Sequence, residues 1–430
     1  MMNFLDLVRK QYDSGKVNLS GVRVSTDFAT TASIQSATTI ANPVTHTRKD
    51  ETKFKFTTYG LADVSGGSYT GQSPNGVQMK IEFMTDALVF EFKTVGSVGT
   101  YSVFVDGELT NIDAISTPNG QAVTYVRTEA SASVIKRMRH VEIYGVNTSF
   151  GGLFTDAADT VTSEITIDTR PFIYQMGDSY TYGTGAGYVT RAYGSSPAVN
   201  DFYVFRNALG MDGIAEGIGG SGWNSSGGQI PASRLQNRLL KMNRKLDVVS
   251  FALAYNDAAA IESGTNASKL VTSMGGALKV VRDAMPDVPV IHVSCATPKG
   301  ITRQIQRVID LTHDFCARNG IPVIGISNYV TAANSASYTG TDNVHPNPLG
   351  HEFRGLAMAR ESLMAALDGR SLVPEIKPKG FTVTYIERLR FAVDVKREVV
   401  QAKTADEAYW MVKSREYSNP DLRIEIISVV

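Results

Sequence analysis

An excess of charge of either sign is what this chain lacks first: 42 lysines and arginines stand against 42 aspartates and glutamates in 430 residues. With that balance and no Lys/Arg-dense segment, nothing supplies the phosphate-collecting face that nucleic-acid binding demands, so nucleic acid is not an expected partner. Cysteine is almost absent. Cys295 and Cys316 are the only two, one in an apolar strand-like run and one in a helical pattern, and they read as free thiols. No Cys/His/Asp/Glu cluster has zinc spacing, so no metal and no cofactor is expected. No apolar run approaches the roughly 20 residues of a membrane-spanning helix, and no membrane partner is expected. The opening segment, Met1–Lys16, has too short an apolar patch before its charges to serve as a secretory leader. The location stays open at this point, between a virion-associated or extracellular protein released by lysis and a cytoplasmic one.

A chain of this length predicts two or three domains. After a short amphipathic start, strand-like runs recur at Val77–Phe83, Ala87–Phe92, Tyr101–Val105 and Arg139–Tyr144, separated by Gly, Asn and Asp turn signals. Gln78, Lys80 and Glu82 alternate with Met79, Ile81 and Phe83, which predicts one wet and one buried face of an antiparallel sheet. Residues 1–168 are therefore expected to form a β-sandwich. The pattern changes at Arg170-Pro171. Apolar runs at Phe172–Met176, Asp247–Leu253, Val288–Val293 and Ile321–Ile326 alternate with helical patterns near 197–210, 267–285, 301–319 and 347–367. This alternation predicts an α/β domain over 169–372, with a parallel sheet covered on both faces and its functional loops at one edge. Pro374–Gly380 reads as a linker to a small α+β unit over 380–430. That unit has strands at Phe381–Ile386, from Phe391 and at Leu422–Ser428, a helix near Ala405–Arg415, and no catalytic motif. Oligomerisation or assembly into a virion is its expected role.

Four segments of the α/β region carry chemistry. Gly177-Asp178-Ser179-Tyr180 follows the first parallel strand, where a turn into a helix exposes a hydroxyl and sets a backbone N–H near a helix N-terminus. Taken alone it is also an ordinary turn sequence. Gly217–Trp223 is a glycine-rich loop whose N–H groups can approach a ligand closely, Gly219 and Gly220 among them. Ala254-Tyr255-Asn256-Asp257 follows a strand and offers the Asn256 amide to a developing oxyanion. Thr341–His351 places Asp342 three residues before His345, a spacing that lets a carboxylate orient an imidazole able to activate a serine. Trp223 and Tyr255 flank the oxyanion candidates and fit either a sugar-stacking wall or core packing. His292, His313 and His351 read as structural.

In this order the four segments resemble the GDSL or SGNH hydrolase family over about 195 residues. The resemblance implies a three-layer flavodoxin-like α/β/α fold and a serine esterase that needs no cofactor. In it Ser179 would be nucleophile, Asp342 orienting acid and His345 general base. Gly220 or Gly219, Asn256 and the Ser179 N–H would form the oxyanion hole. Ala254 stands where the family usually has glycine, and Tyr180 where it usually has leucine or isoleucine. A sandwich followed by such a domain is further similar to jelly-roll/SGNH carbohydrate acetyl esterases. That implies an acetylated polysaccharide or small acyl ester as substrate, with the sandwich as a carbohydrate-binding unit. The alternatives are a bacteriophage tail protein with a vestigial esterase domain, and a lipase or thioesterase of the same family.

Overall fold

The computed structural model describes residues 3–35, 37–47, 50–57, 61–64, 68–71, 78–94, 100–111, 115–116, 123–146, 149–165, 170–185, 199–239, 242, 244–261, 264–376, 379–389, 392–403, 405–413 and 423–430. Val77, Phe391, Arg415 and Leu422, expected at the ends of elements, lie outside them, as do residues 166–169 at the expected first boundary.

The N-terminal strands pair into antiparallel sheets. One runs in the order Phe28–Ile34, Thr124–Ala130, Val89–Thr94, Leu153–Asp156, Pro43–His46. A second runs Ile115–Ser116, Thr100–Val105, Arg139–Val146, Gln78–Thr85, Val161–Thr162, with Lys55–Thr57 and Glu108–Leu109 paired alongside. Their facing sides close on a common core that includes Phe90, Phe92 and Val126 from the first, and Ile81, Phe83, Val141 and Ile143 from the second. The strands Gln78–Thr85, Val89–Thr94, Thr100–Val105 and Arg139–Val146 correspond to the four runs expected from sequence. The expectation of a wet face through Lys80 and Glu82 is not met: both are fully buried. Their side of the strand is covered by the α/β layers, where the Lys80 ammonium lies 2.6 Å from Glu82, 2.8 Å from Glu142 and 2.7 Å from Asp212. Alternation identified the two faces but not the neighbour that covers the charged one.

From Phe172 five parallel strands form one sheet in the order Asp212–Gly217, Phe172–Gly177, Val248–Ala252, Val290–Val293, Val323–Ile324. In chain order this is 2-1-3-4-5, the flavodoxin-like arrangement, with its switch point between the first and third strands. Helices Pro231–Arg238, Gly264–Ala284 and Arg303–Asn319 lie on one face, where Leu235, Leu270, Leu278 and Val308 join Met176 and Val249 in a core. The other face carries Asp201–Ala208 and Pro348–Asp368, packed through Phe202, Phe205 and Met358 on Ile173 and Ile291. The N-terminal helix Phe4–Asp13 joins this second layer. Phe4, Leu7 and Val8 are buried with Phe205 and Met358, so the first residues of the span expected as sandwich pack on the α/β fold instead.

Strand Asp212–Gly217 was not expected, because its two carboxylates break the apolar run. Both are buried and paired: Asp212 with Lys80 and Arg206, Glu216 with Arg234 at 2.7 Å and the Tyr174 hydroxyl at 2.5 Å. At the C-terminal end, Lys379–Leu389 lies between Ala392–Ala402 and Arg423–Val429 in an antiparallel sheet, with helix Ala405–Lys413 against one face.

Candidate active site

Both ends of the switch point carry a chemical segment. Strand Phe172–Gly177 leads at once into the short helix Ser179–Tyr182, capped by the Asp178 carboxylate, which accepts the Tyr180 N–H at 2.9 Å. The turn is tight, and two glycines make it possible. A Cβ at Gly177 would sit 1.9 Å from Thr181 Oγ1, and one at Gly217 would sit 2.1 Å from the Tyr182 backbone nitrogen. Burial pushes the Asp178 carboxyl up to about 7, since a charged form pays for lost water.

The second half of the site comes from the loop before helix Pro348–Asp368. Asp342 organises it. Its Oδ1 accepts the N–H groups of Val344 at 2.9 Å and His345 at 3.0 Å, while Oδ2 lies 2.5 Å from His345 Nδ1. Burial alone would raise this carboxyl, but the Val344 N–H and the His345 contacts outweigh it and hold it below its ordinary value. A carboxylate facing Nδ1 places the ring proton there, which leaves Nε2 as an acceptor. That Nε2 lies 2.8 Å from Ser179 Oγ, across 166 residues of chain. Ser179, Asp342 and His345, singled out from sequence, therefore stand in one hydrogen-bonded line. Such a line can withdraw a serine proton and return it to a leaving group.

The glycine-rich loop and the Asn256 segment are fastened together. The Asp257 carboxylate accepts the Trp223 and Asn224 N–H groups, each at 2.8 Å, and a Cβ at Gly222 would fall 2.7 Å from it. Asn256 Nδ2 donates to the Ser221 carbonyl at 2.8 Å. That bond uses one of its two amide hydrogens. Gly219 and Gly220 are exposed, and a Cβ on either would meet nothing within 4 Å. Gly220 also takes φ 72°, the left-handed region that glycine enters freely. Ala254, in the usual glycine position, is held at φ 116°.

Of the two aromatic candidates, Tyr255 is half-buried, with its ring 5.5 Å from that of Tyr180 at the edge of the site. Trp223 is not a sugar-stacking wall. It is 1% exposed and packs on Phe251 in the sheet core, so no face of its indole is open to a ligand. Sequence reasoning also missed a buried polar layer under the site. Arg354 pairs with Asp201 at 3.1 Å and lies 5.0 Å from the centre of the Tyr180 ring. His351 is fully buried there, accepting from the Asp201 N–H at 3.3 Å and donating to the Thr184 carbonyl at 2.9 Å. Burial keeps its imidazole below the ordinary value. No sequence spacing marks Arg354 or Asp201, which meet across 153 residues.

Among the described residues, one cluster has metal-ligand composition: Glu82, His140 and Glu142 in the sandwich. The Lys80 ammonium, within 2.8 Å of both carboxylates, already occupies the position of a cation there.

Residues 176–353 match the model of the GDSL-like lipase/acylhydrolase family. No curated protein matches the chain by sequence. Among solved structures it is similar to a salicylyl-acyltransferase from a tetracycline biosynthetic pathway, with TM-score 0.56 and 16% identity over 76% of this chain and 99% of that one. It is also similar to a family two carbohydrate esterase from Clostridium thermocellum in complex with cellohexaose (TM-score 0.54, 15% identity, 74% of this chain and all of that one). A family two carbohydrate esterase from Cellvibrio japonicus gives TM-score 0.54 at 12% identity over 78% of this chain and all of that one. At such identities the likeness is one of fold. The family match, by contrast, is one of sequence, and its span, residues 176–353, takes in all four chemical segments.

Proposed function

We propose that the chain is a serine esterase that removes a short acyl group, O-acetyl in the first instance, from a polysaccharide. The observation that carries this is the 2.8 Å contact between Ser179 Oγ and His345 Nε2, with Asp342 on the far ring nitrogen. In this reading His345 takes the Ser179 proton as Oγ attacks the acyl carbonyl. The resulting oxyanion is met by the N–H groups of Ser179 and Gly220, with Gly219 as the neighbouring alternative, and by the free hydrogen of the Asn256 amide. Collapse expels the sugar hydroxyl, which leaves with the proton from His345, and the acyl group stays on Oγ. Water, deprotonated by His345, then releases the acid.

The polysaccharide half of the reading is supported by likeness to carbohydrate esterases, one of them in complex with cellohexaose. The sandwich is assigned glycan binding through the outer face of the sheet containing Val89–Thr94 and Thr124–Ala130, because the α/β layers cover the Lys80 face of the other sheet. The unit from 380 to 430 is assigned to assembly, as oligomer or virion component. An acetate-release screen over acetylated polysaccharides, with Ser179→Ala as control, tests the function. Acetate from the wild type and none from the variant is the expected result; equal release from both removes Ser179 as nucleophile. A preference for long-chain p-nitrophenyl esters would move the substrate to lipids or thioesters. Glycan binding with no turnover would favour the vestigial, virion-associated reading.

A further inference from the structure

Tyr180 stands where the family that this chain resembles usually has leucine or isoleucine, and its phenol does something an aliphatic side chain cannot. The hydroxyl donates to the backbone carbonyl of Val344, 164 residues away. Val344 directly precedes His345, and Tyr180 directly follows Ser179. Two adjacent residues on one segment are thus joined to two adjacent residues on another, by Ser179 Oγ to His345 Nε2 and by Tyr180 to Val344. A single contact fixes a separation. A second contact beside it fixes the rotation of one segment against the other, which sets the direction in which the imidazole lone pair meets the hydroxyl.

The phenol is itself held firmly. Its ring is 4% exposed, with Arg354 5.0 Å from the ring centre and Tyr255 edge-on at 5.5 Å. The backbone N–H of Tyr180 is tied to the Asp178 carboxylate. Burial, the largest influence, holds the phenol well above its ordinary value, so it remains a donor throughout the working range. At the receiving end the Val344 peptide is fixed on both sides, its N–H by Asp342 Oδ1 and its carbonyl by Tyr180. The His345 ring centre lies 5.8 Å from that of Tyr180, close enough for the phenol to restrict how the loop tilts.

We infer that Tyr180 is a positioning residue for the reaction, a latch that holds the loop bearing Asp342 and His345 in register with Ser179. The inference rests on the esterase reading above. The variant is Tyr180→Phe, which removes one oxygen and keeps the ring. It is assayed on p-nitrophenyl acetate beside the wild type and Ser179→Ala, with melting temperature and amide hydrogen exchange of residues 340–347 followed in parallel. The latch predicts kcat lowered about tenfold with KM within twofold, since small misplacement of reacting groups acts on the chemical step. It also predicts faster exchange in 340–347 and a melting temperature lowered by no more than a few degrees. Wild-type kcat and exchange in Tyr180→Phe overturn it. So does a fall in melting temperature with kcat unchanged, which would make the bond structural only. If the wild type is as inert as Ser179→Ala, the esterase reading fails separately, and the exchange measurement decides whether Tyr180 fixes the loop.

Discussion

The Nζ of Lys80, on a sandwich strand, lies 2.7 Å from Oδ1 of Asp212, on the edge strand of the parallel sheet, and neither side chain is exposed at all. Around this pair the buried Glu82, Glu142 and Arg206 and the partly exposed Arg170 and Arg244 complete an ionic knot, with Arg206 also donating to the Tyr144 hydroxyl at 2.6 Å. Burial opposes the charge on Lys80, but Asp212, Glu142 and Glu82 outweigh it, and its pKa stays above the ordinary value. Removing one partner of such a cluster leaves the others charged and dry, which typically costs about 3–5 kcal/mol. Lys80→Met should therefore lower the unfolding free energy by roughly that amount. The loss should fall on the sandwich and the α/β layers together, because the knot joins them. Denaturant unfolding followed by tryptophan fluorescence and by circular dichroism measures it. A loss below about 1 kcal/mol, the scale of an exposed ion pair, would show the knot to be solvated.

Glycines around the site separate into those that are sterically required and those that are not. At Gly217 a methyl group would press on the backbone of the helix that carries Ser179, at 2.1 Å from Tyr182 N and 2.7 Å from Asp178 O. At Gly219 it would meet nothing within 4 Å. Gly217→Ala should thus displace Ser179 from His345 and reduce kcat/KM about a hundredfold or more, as misplacement of reacting groups by an ångström does. Gly219→Ala should leave the melting temperature unchanged. If Gly219→Ala lowers activity without changing stability, the methyl group blocks substrate, and the loop lies over the bound ester. Near wild-type activity of Gly217→Ala would contradict the steric account of Gly217.

The parts of the fold legible in sequence are those whose physics is local. Runs such as Phe172–Met176 are apolar because both faces of a parallel strand are buried, and the reactive groups stand in short segments whose order is itself informative. What stayed illegible depends on neighbours distant in the chain. Asp212 and Glu216 disguised the edge strand of the parallel sheet because their partners, Lys80 and Arg234, lie 132 and 18 residues away. Lys80 and Glu82 looked solvated for the same reason. Trp223 was ambiguous because an indole beside a reactive loop suits a core and a binding wall equally, and only burial separates the two. Ala254 was legible as a departure from glycine. Its φ of 116° shows what that departure means, an L-residue in backbone space that costs it about 1–3 kcal/mol.

Asp178, next to the reactive serine, predicts how stability responds to pH. Its carboxyl is 2% exposed and burial raises it from an ordinary 3.8 to about 7. A group raised on folding binds its proton more tightly in the folded state, so its contribution is fully favourable below pH 4. That contribution declines as pH rises through the interval between the two values and is lost above about 7. Asp178→Asn keeps an acceptor for the Tyr180 N–H and removes the titration. Between pH 5 and pH 8 the wild type should lose stability relative to Asp178→Asn, by an amount on the order of 3 kcal/mol at most. Urea unfolding at the two pH values checks this, with the difference between the proteins as the readout so that other titrating groups cancel. If the difference between the two proteins is the same at pH 5 and pH 8, Asp178 is ionised throughout. Arg354, whose charge lowers this carboxyl, would then be the group that holds it charged beneath Ser179.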